Sequence, residues 1–206
     1  MLVIIEGADG VGKTTVIQEL SKRPSVYFGS TPFFSSGTFS PELKSQIMAA
    51  QAAGNLLEKN TLLIKALTFT MSTALDFIEN GTPVVLDRFL QTYYAYQVGS
   101  TPQDDPNLPD HLITAFNKLV DRLNKLAEET RVVYIYLHAD PTVTYRRLNN
   151  RSEKVDVLDD YYLTHQANIL LSYLEYFNTT PIMQKYKVST YKPLECVMKQ
   201  IRQALL

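Results

Sequence analysis

The sequence predicts an α/β fold in which helices cover both faces of a parallel β-sheet. Short apolar runs, the pattern of strands buried on both faces, support this prediction. They lie at 2–5, 83–86 and 132–137, with weaker candidates at 26–28 and 185–190. Between the strands, apolar residues recur at steps of three or four, most clearly over 113–126 and 194–205. Strands that alternate with helices favour a parallel sheet, in which ligands bind beyond the carboxyl ends of the strands.

The elements follow one another in a regular order. The first strand, 2–5, leads through a glycine-rich turn to a helix that begins near Lys13. The segment 29–40 is rich in Ser, Thr, Gly and Phe and predicts a loop that leads to a helix near Pro41. The segment 99–109 carries three prolines, so it is not helical throughout, because proline removes a backbone donor.

Composition restricts the class of protein. A chain of 206 residues suits one domain, 1–206. The formal net charge of −1 argues against bulk nucleic-acid binding, for which a basic domain is expected. Cys196 is the single cysteine, which indicates a reducing compartment. No segment approaches the ~20 apolar residues of a membrane span, and no basic leader precedes the first strand, so we expect a cytoplasmic protein without a membrane partner.

The glycine-rich turn carries the main chemical motif. The segment 7–14 reads GADGVGKT and fits the phosphate-binding pattern G-x-x-x-x-G-K-S/T between a strand and a helix. Its N–H groups and the helix N-terminus can converge on phosphate oxygens. We expect Lys13 to bridge the β- and γ-phosphates of a nucleoside triphosphate and the Thr14 hydroxyl to ligate Mg²⁺. The predicted nucleotide-binding residues are Gly7, Ala8, Asp9, Gly10, Val11, Gly12, Lys13 and Thr14.

The same motif occurs in GTPases, motor ATPases and small-molecule kinases. The guanine-reading motif N-K-x-D is absent from this sequence, and large ATPase machines need a longer chain. A small-molecule kinase is therefore favoured. The buried strand 83–86 ends in Asp87, which is placed to organise Mg²⁺, and Arg88, whose planar fork suits a phosphate on the acceptor. A surface ion pair at a strand end is the other interpretation of this dipeptide.

The longer stretch resembles a known family. The segment 87–97 reads DRFLQTYYAYQ, similar to the thymidylate kinase pattern D-R-Y/F-x-x-S-x-x-A-Y-Q, with Thr92 in the serine position. The segment 5–15 resembles the phosphate loop of that family and adds Thr15 to the nucleotide-binding residues. More loosely, 156–159 is similar to the end of its lid.

This resemblance implies a P-loop kinase fold, with five parallel strands in the order 2-3-1-4-5 and a mobile lid near 149–160. It also implies ATP- and Mg²⁺-dependent transfer to a deoxynucleoside monophosphate, with dTMP converted to dTDP. A homodimer through the apolar helices around 56–78 is implied as well, although core packing explains those helices equally well.

The resemblance also implies roles for individual residues. Asp9 would accept a hydrogen bond from the 3′-hydroxyl of the acceptor, and Arg88 would hold its phosphate. Tyr96 would lie where a 2′-hydroxyl would otherwise fit, and Phe69 could stack on the base. Thr92, Tyr93 and Gln97 would face the base. The full acceptor-binding set is Asp9, Phe69, Arg88, Thr92, Tyr93, Tyr96 and Gln97.

One catalytic cation remains to be assigned. Part of the family places an arginine where this chain has Gly10, and the rest supplies it from the lid. With Gly10 present, we expect a lid cation to stabilise the transferring phosphoryl group, with Arg151 as the first choice. The other candidates are Arg146, Arg147 and Lys154. The implied catalytic residues are thus Asp9, Lys13, Arg88 and Arg151.

Two segments depart from the family. The segment 29–34 reads GSTPFF and lacks the usual Arg and Glu, and 63–70 lacks the arginine that faces the thymine carbonyl. Lys65 or Thr68 could replace that contact. The departures leave open a kinase for another or a modified deoxynucleotide. A nucleotide-binding switch without turnover is the alternative from a different class.

Overall fold

A computed structural model describes residues 1–22, 26–30, 41–98, 108–150 and 158–206. The described residues form one sheet of five parallel strands in the order β2-β3-β1-β4-β5, which is the order that the resemblance implies. The strands are β1 Leu2–Glu6, β2 Tyr27–Ser30, β3 Val84–Asp87, β4 Val132–His138 and β5 Gln184–Ser189.

Helices connect the strands and continue past the last one. They are α1 Lys13–Ser21, α2 Pro41–Ala52, α3 Leu56–Glu79, α4 Leu90–Tyr93, α5 Asp110–Glu129, α6 Pro141–Asn149, α7 Leu158–Thr179 and α8 Leu194–Leu205. A π-helical turn, Tyr94–Val98, follows α4 directly. The predicted α/β fold with a parallel sheet is confirmed.

The burial of each strand follows its place in the sheet. Every residue of the central strand β1 is buried, as are the first six of β4, because neighbouring strands and helices cover both. The edge strand β5 reads QKYKVS, and half of its residues are exposed. Lysines on an exposed edge discourage pairing with another chain.

The register brings the carboxyl ends of the strands together. Ile5 of β1 pairs with Asp87 of β3 on one side and with Ile135 of β4 on the other. His138 of β4 pairs with Ser189 of β5. Residues that follow these strands therefore meet at one edge of the sheet, as the fold class predicts.

The long helix α3 corrects one expectation. By length and composition it is apolar enough to cross a membrane, so the statement that no segment approaches such a span was wrong. The helix packs against α2, α5 and two strands, and Leu63, Leu67 and Met71 on it are buried. A helix that packs on several neighbours needs apolar residues over much of its surface, and core packing accounts for the buried part of α3.

The bounds of two predicted loops differ from those in the structure. Gly29 and Ser30 belong to β2, and the helix α7 begins at Leu158, inside the predicted lid of 149–160. A mixture of charges does not distinguish a solvated loop from a solvated helical turn, which explains the second difference. The rest of the lid, with Arg151 and Lys154, and the segments 31–40 and 99–107 lie outside the described residues.

Candidate active site

The glycine loop between β1 and α1 has a backbone that side chains would not permit. Gly7 has φ of 148° and Gly10 has φ of 78°. A Cβ atom at Gly7 would lie 2.3 Å from the Leu137 carbonyl oxygen, and one at Gly10 would lie 2.7 Å from that of Thr144. The loop is thus pressed against the end of β4 and against α6, and only glycine fits these two positions.

Lys13 is the first residue of α1 and is 6% exposed. Its ammonium group turns back into the loop and donates to the carbonyl oxygens of Gly7, at 2.6 Å, and Ala8, at 2.8 Å. Burial, and then the positive charge of Arg88, lower the pKa of Lys13 from 10.5 to about 7. An anion at the loop would favour the charged ammonium.

Arg88 follows β3 and is 2% exposed. It adopts a left-handed backbone conformation, with φ of 67°, which is uncommon for a residue other than glycine and directs its side chain towards the glycine loop. One terminal nitrogen of the guanidinium donates to the Gly7 carbonyl at 3.4 Å and to the Tyr173 hydroxyl at 3.3 Å. The other donates to the Asp9 carboxylate, with which it forms an ion pair.

Asp9 links Arg88 to the π-helical turn. Its second carboxylate oxygen accepts a hydrogen bond of 2.7 Å from the Tyr96 hydroxyl, and its own N–H donates to the same hydroxyl at 3.3 Å. The structure therefore brings together three predicted site residues, Asp9, Arg88 and Tyr96. Short π-helical segments within helices are frequent at functional sites.

Glu6, the last residue of β1, is a site residue that sequence reasoning missed. It is fully buried, and one carboxylate oxygen accepts from the N–H groups of Phe89, at 2.6 Å, and Thr92, at 3.3 Å. The other oxygen accepts from the Thr92 hydroxyl at 2.5 Å. Burial raises the pKa of Glu6 to about 7. Glu6 thus holds the turn that begins at Arg88. A carboxylate at the end of an otherwise apolar strand was the available clue.

Tyr173 of α7 is the second residue that was missed as part of the site. Its hydroxyl lies 2.7 Å from the Thr92 hydroxyl oxygen and accepts from Arg88. Its ring meets the ring of Tyr96 edge to face, with 6.1 Å between centroids. The Thr92 side chain is therefore enclosed between Glu6 and Tyr173.

The remaining predicted acceptor residues lie in different surroundings. The Tyr93 ring is buried and stacks on Phe116 at 5.3 Å between centroids, and Gln97 is also buried. Phe69 lies on α3 and is 55% exposed. The roles of Thr92, Tyr93, Gln97 and Phe69 towards a base stay predictions. So does the role of Arg151, which lies outside the described residues.

The predicted metal ligands fit a magnesium ion that is held largely by phosphate. Within the part of the chain that the structure describes, Asp87 Oδ1 is buried and has no hydrogen-bond partner. Thr14 is exposed in the first turn of α1. Among the described residues, no group of three or more His, Cys, Asp and Glu side chains could hold a metal. Mg²⁺ bound with nucleotides usually takes only one or two carboxylates beside the phosphates, so one carboxylate and one hydroxyl suffice.

A parallel sheet, a glycine loop after its central strand and a buried lysine at the next helix define a P-loop fold. The chain is similar over its whole length to a solved structure of deoxyadenosine kinase from M. mycoides with bound dATP, which it covers to 99%. The TM-score is 0.59 and the sequence identity 16%. A second structure of that enzyme, with the products dCMP and a flexible dCDP bound, has a TM-score of 0.59 and 18% identity, and is covered to 98%.

At this identity the similarity shows the fold alone. No protein-family profile matches the chain, and no curated protein matches it. The two solved structures agree with a P-loop kinase fold, whereas the narrower resemblance to thymidylate kinases rests on the sequence motifs.

Proposed function

We propose that the chain transfers the γ-phosphoryl group of ATP to a deoxynucleoside monophosphate, with dTMP as the acceptor. One observation carries this proposal. Lys13 and Arg88 approach the same carbonyl oxygen, that of Gly7, at 2.6 Å and 3.4 Å. Lys13 belongs to the donor side of the site and Arg88 follows a different strand, so two phosphate groups could be held side by side.

The residues suit phosphoryl transfer without a covalent intermediate, which depends on positioning and on charge stabilisation. Lys13 and the loop N–H groups would neutralise charge on the donor phosphates. Arg88 would hold the acceptor phosphate, and Asp9 would orient a sugar hydroxyl. A bound Mg²⁺ would neutralise further phosphate charge, and Thr14 and Asp87 are the residues that would hold it.

The choice of dTMP is motivated by the segment 87–97, which follows the thymidylate kinase pattern closely. A deoxynucleoside is the second candidate acceptor, and the position of the Asp9 carboxylate in the glycine loop motivates it. A carboxylate beside the phosphate loop can accept the proton of an attacking hydroxyl, so an acceptor phosphate is not required. The two solved structures are deoxyadenosine kinases, which also motivates this candidate.

An acceptor panel tests the proposal. The protein is incubated with Mg²⁺-ATP and with dTMP, dUMP, dGMP, 5-substituted dUMP, thymidine or deoxyadenosine, and ADP formation is measured. We expect the highest kcat/KM with dTMP. Higher values with the nucleosides would favour the second candidate. ATP binding without turnover on any acceptor would contradict both and indicate a nucleotide-binding switch.

Tyr96 provides a test of sugar selection. Because a ring at the 2′ position excludes a ribose hydroxyl, Tyr96→Ala is expected to narrow the preference for dTMP over the ribonucleotide. Tyr96→Phe is the matched control, since it keeps the ring and removes the hydroxyl with its hydrogen bonds to the Asp9 carboxylate and N–H. The ratio of kcat/KM for dTMP to that for the ribonucleotide is measured within each variant. A lower fraction of folded protein affects both values equally and cancels in the ratio. An unchanged ratio in Tyr96→Ala would assign Tyr96 to the core.

The lowered pKa of Lys13 predicts that ATP binding takes up a proton. With a pKa of about 7, Lys13 is mostly neutral above neutral pH in the free protein. Bound phosphate favours the charged ammonium and raises its pKa, so affinity should fall as the pH rises above 7.

Calorimetry in two buffers of different ionisation enthalpy measures this uptake. At about pH 8 the phosphates of ATP are already ionised and contribute little. We expect uptake approaching one proton in the wild type and close to none in Lys13→Gln. Equal uptake in both proteins would show that Lys13 is not the group that titrates.

A homodimer through α3 stays a proposal. Leu57 near the start of this helix is 51% exposed, so its side chain is accessible to a partner. Sedimentation equilibrium of the wild type and of Leu57→Glu tests it, and a monomeric wild type would contradict it.

A further inference from the structure

Arg147 of α6 reaches the back of the glycine loop. Its Nη1 donates to the carbonyl oxygen of Val11 at 3.2 Å and to that of Gly10 at 3.4 Å. The helix itself is close to the loop, since a Cβ atom at Gly10 would meet the Thr144 carbonyl oxygen at 2.7 Å. Arg147 therefore contacts the loop on its carbonyl side.

The same guanidinium also binds the end of the sheet. Nη1 lies 3.3 Å from the Thr190 hydroxyl oxygen, and Nη2 donates to the Thr190 carbonyl at 2.9 Å. Thr190 directly follows β5, and its N–H donates to the His138 carbonyl at 2.9 Å. One side chain thus connects the middle of the glycine loop to a residue that is anchored on β4.

From these contacts we infer that Arg147 is a positioning residue that orients the loop N–H groups towards the phosphate chain of a bound nucleotide. The Gly10 carbonyl and the Val11 N–H belong to one planar peptide unit and point in opposite directions, and so do the Val11 carbonyl and the Gly12 N–H. Holding the two carbonyls on the α6 side turns the two N–H groups to the opposite side, where phosphate would bind. The inference rests on the proposed function, because it takes 7–14 to be the phosphate cradle.

This role differs from that of a cation that touches phosphate. Among the described residues, Arg147 has carbonyl and hydroxyl oxygens of Gly10, Val11 and Thr190 as acceptors. The backbone of Gly10, with φ of 78°, is intrinsically permissive, so the loop needs an external contact to favour one orientation of its peptide groups. Arg147 supplies that contact, and its effect on phosphate passes through the loop.

Binding of inorganic tripolyphosphate with Mg²⁺, measured by calorimetry, tests the inference, because this probe has no base or sugar. Arg147→Ala is expected to weaken binding about tenfold, roughly the contribution of one charge-assisted hydrogen bond. The affinity for ATP should fall by the same factor. Arg147→Lys should recover part of the loss, since one ammonium reaches fewer of the acceptors. Arg122→Ala, which removes the same charge from an exposed position of α5, is the matched control and should bind normally.

The outcomes separate the inference from the proposed function. Normal tripolyphosphate binding by Arg147→Ala would overturn the inference, and so would a loss confined to ATP, which would indicate a contact with the base. If the wild type and Lys13→Ala instead bind tripolyphosphate with equal affinity, the assignment of 7–14 as the phosphate cradle is wrong. If Arg147→Ala does not fold, Arg147→Gln and Arg147→Lys are used. Altered hydrogen exchange of the Val11 and Gly12 amides is the additional expected result, and unaltered exchange would contradict the inference.

Discussion

Replacing Lys13 by alanine is expected to lower kcat by about 10²–10³-fold, the loss typical of removing one group that stabilises charge in a transition state. The Lys13 ammonium is buried inside the glycine loop, 2.6 Å from the Gly7 carbonyl oxygen, so solvent would screen its charge towards a bound phosphate only weakly. Turnover is measured at saturating ATP and acceptor. The fold should persist, because the substitution removes a group whose charged form is disfavoured by burial.

Lys22→Ala is the matched control for this experiment. Lys22 caps the other end of α1 and pairs with Glu19 on the surface, so it shares the helix and the charge but lies outside the loop. We expect normal turnover from this variant. A well-folded Lys13→Ala protein with nearly normal kcat would show that 7–14 is not a catalytic phosphate loop.

Replacing Arg88 by methionine is expected to reduce kcat/KM for a monophosphate acceptor by about tenfold to a hundredfold, the value of a hydrogen bond to a charged group. Methionine keeps much of the side-chain volume and removes the planar guanidinium group. Because a nucleoside has no phosphate for Arg88 to hold, kcat/KM should fall much less for thymidine than for dTMP. Steady-state kinetics with both acceptors measures this difference, and equal losses would contradict a phosphate-binding role.

Stability has to be separated from binding in this variant. Arg88 forms an ion pair with Asp9, and removing one partner leaves the other charge poorly compensated in a largely buried place. The double variant Arg88→Met with Asp9→Asn removes both charges and should recover part of the melting temperature. Its acceptor kinetics should stay impaired. Recovery of dTMP turnover together with stability would show that Arg88 is structural.

Local sequence was sufficient for the parts of the site that are continuous in the chain. The glycines at 7 and 12 and the lysine at 13 have a spacing that is typical of a tight turn between a strand and a helix, and the structure has that turn. The apolar runs predicted the central strands, because strands buried on both faces carry almost no polar residues. Alternation with helical patterns then predicted the parallel sheet.

The sequence was less informative where the pattern of a segment has two physical explanations. The composition of α3 suits a core helix as well as a membrane span, and packing against α2 and α5 favours the core. Charges around 158–160 suited a loop as well as the start of α7. In both cases the deciding contacts come from distant parts of the chain.

The sequence by itself determined the glycine loop and the central strands, since each follows from neighbouring residues. The rule that parallel strands present their carboxyl ends at one edge of the sheet then predicted that Asp87 and Arg88 lie near that loop. Only the tertiary structure decided which side chains support them. Glu6 binds the N–H groups of Phe89 and Thr92, more than eighty positions away, and Arg147 binds carbonyls more than 130 positions away. No regular sequence spacing relates such hydrogen-bond partners to one another. They meet because of the order of strands in the sheet and the packing of α6 against the loop.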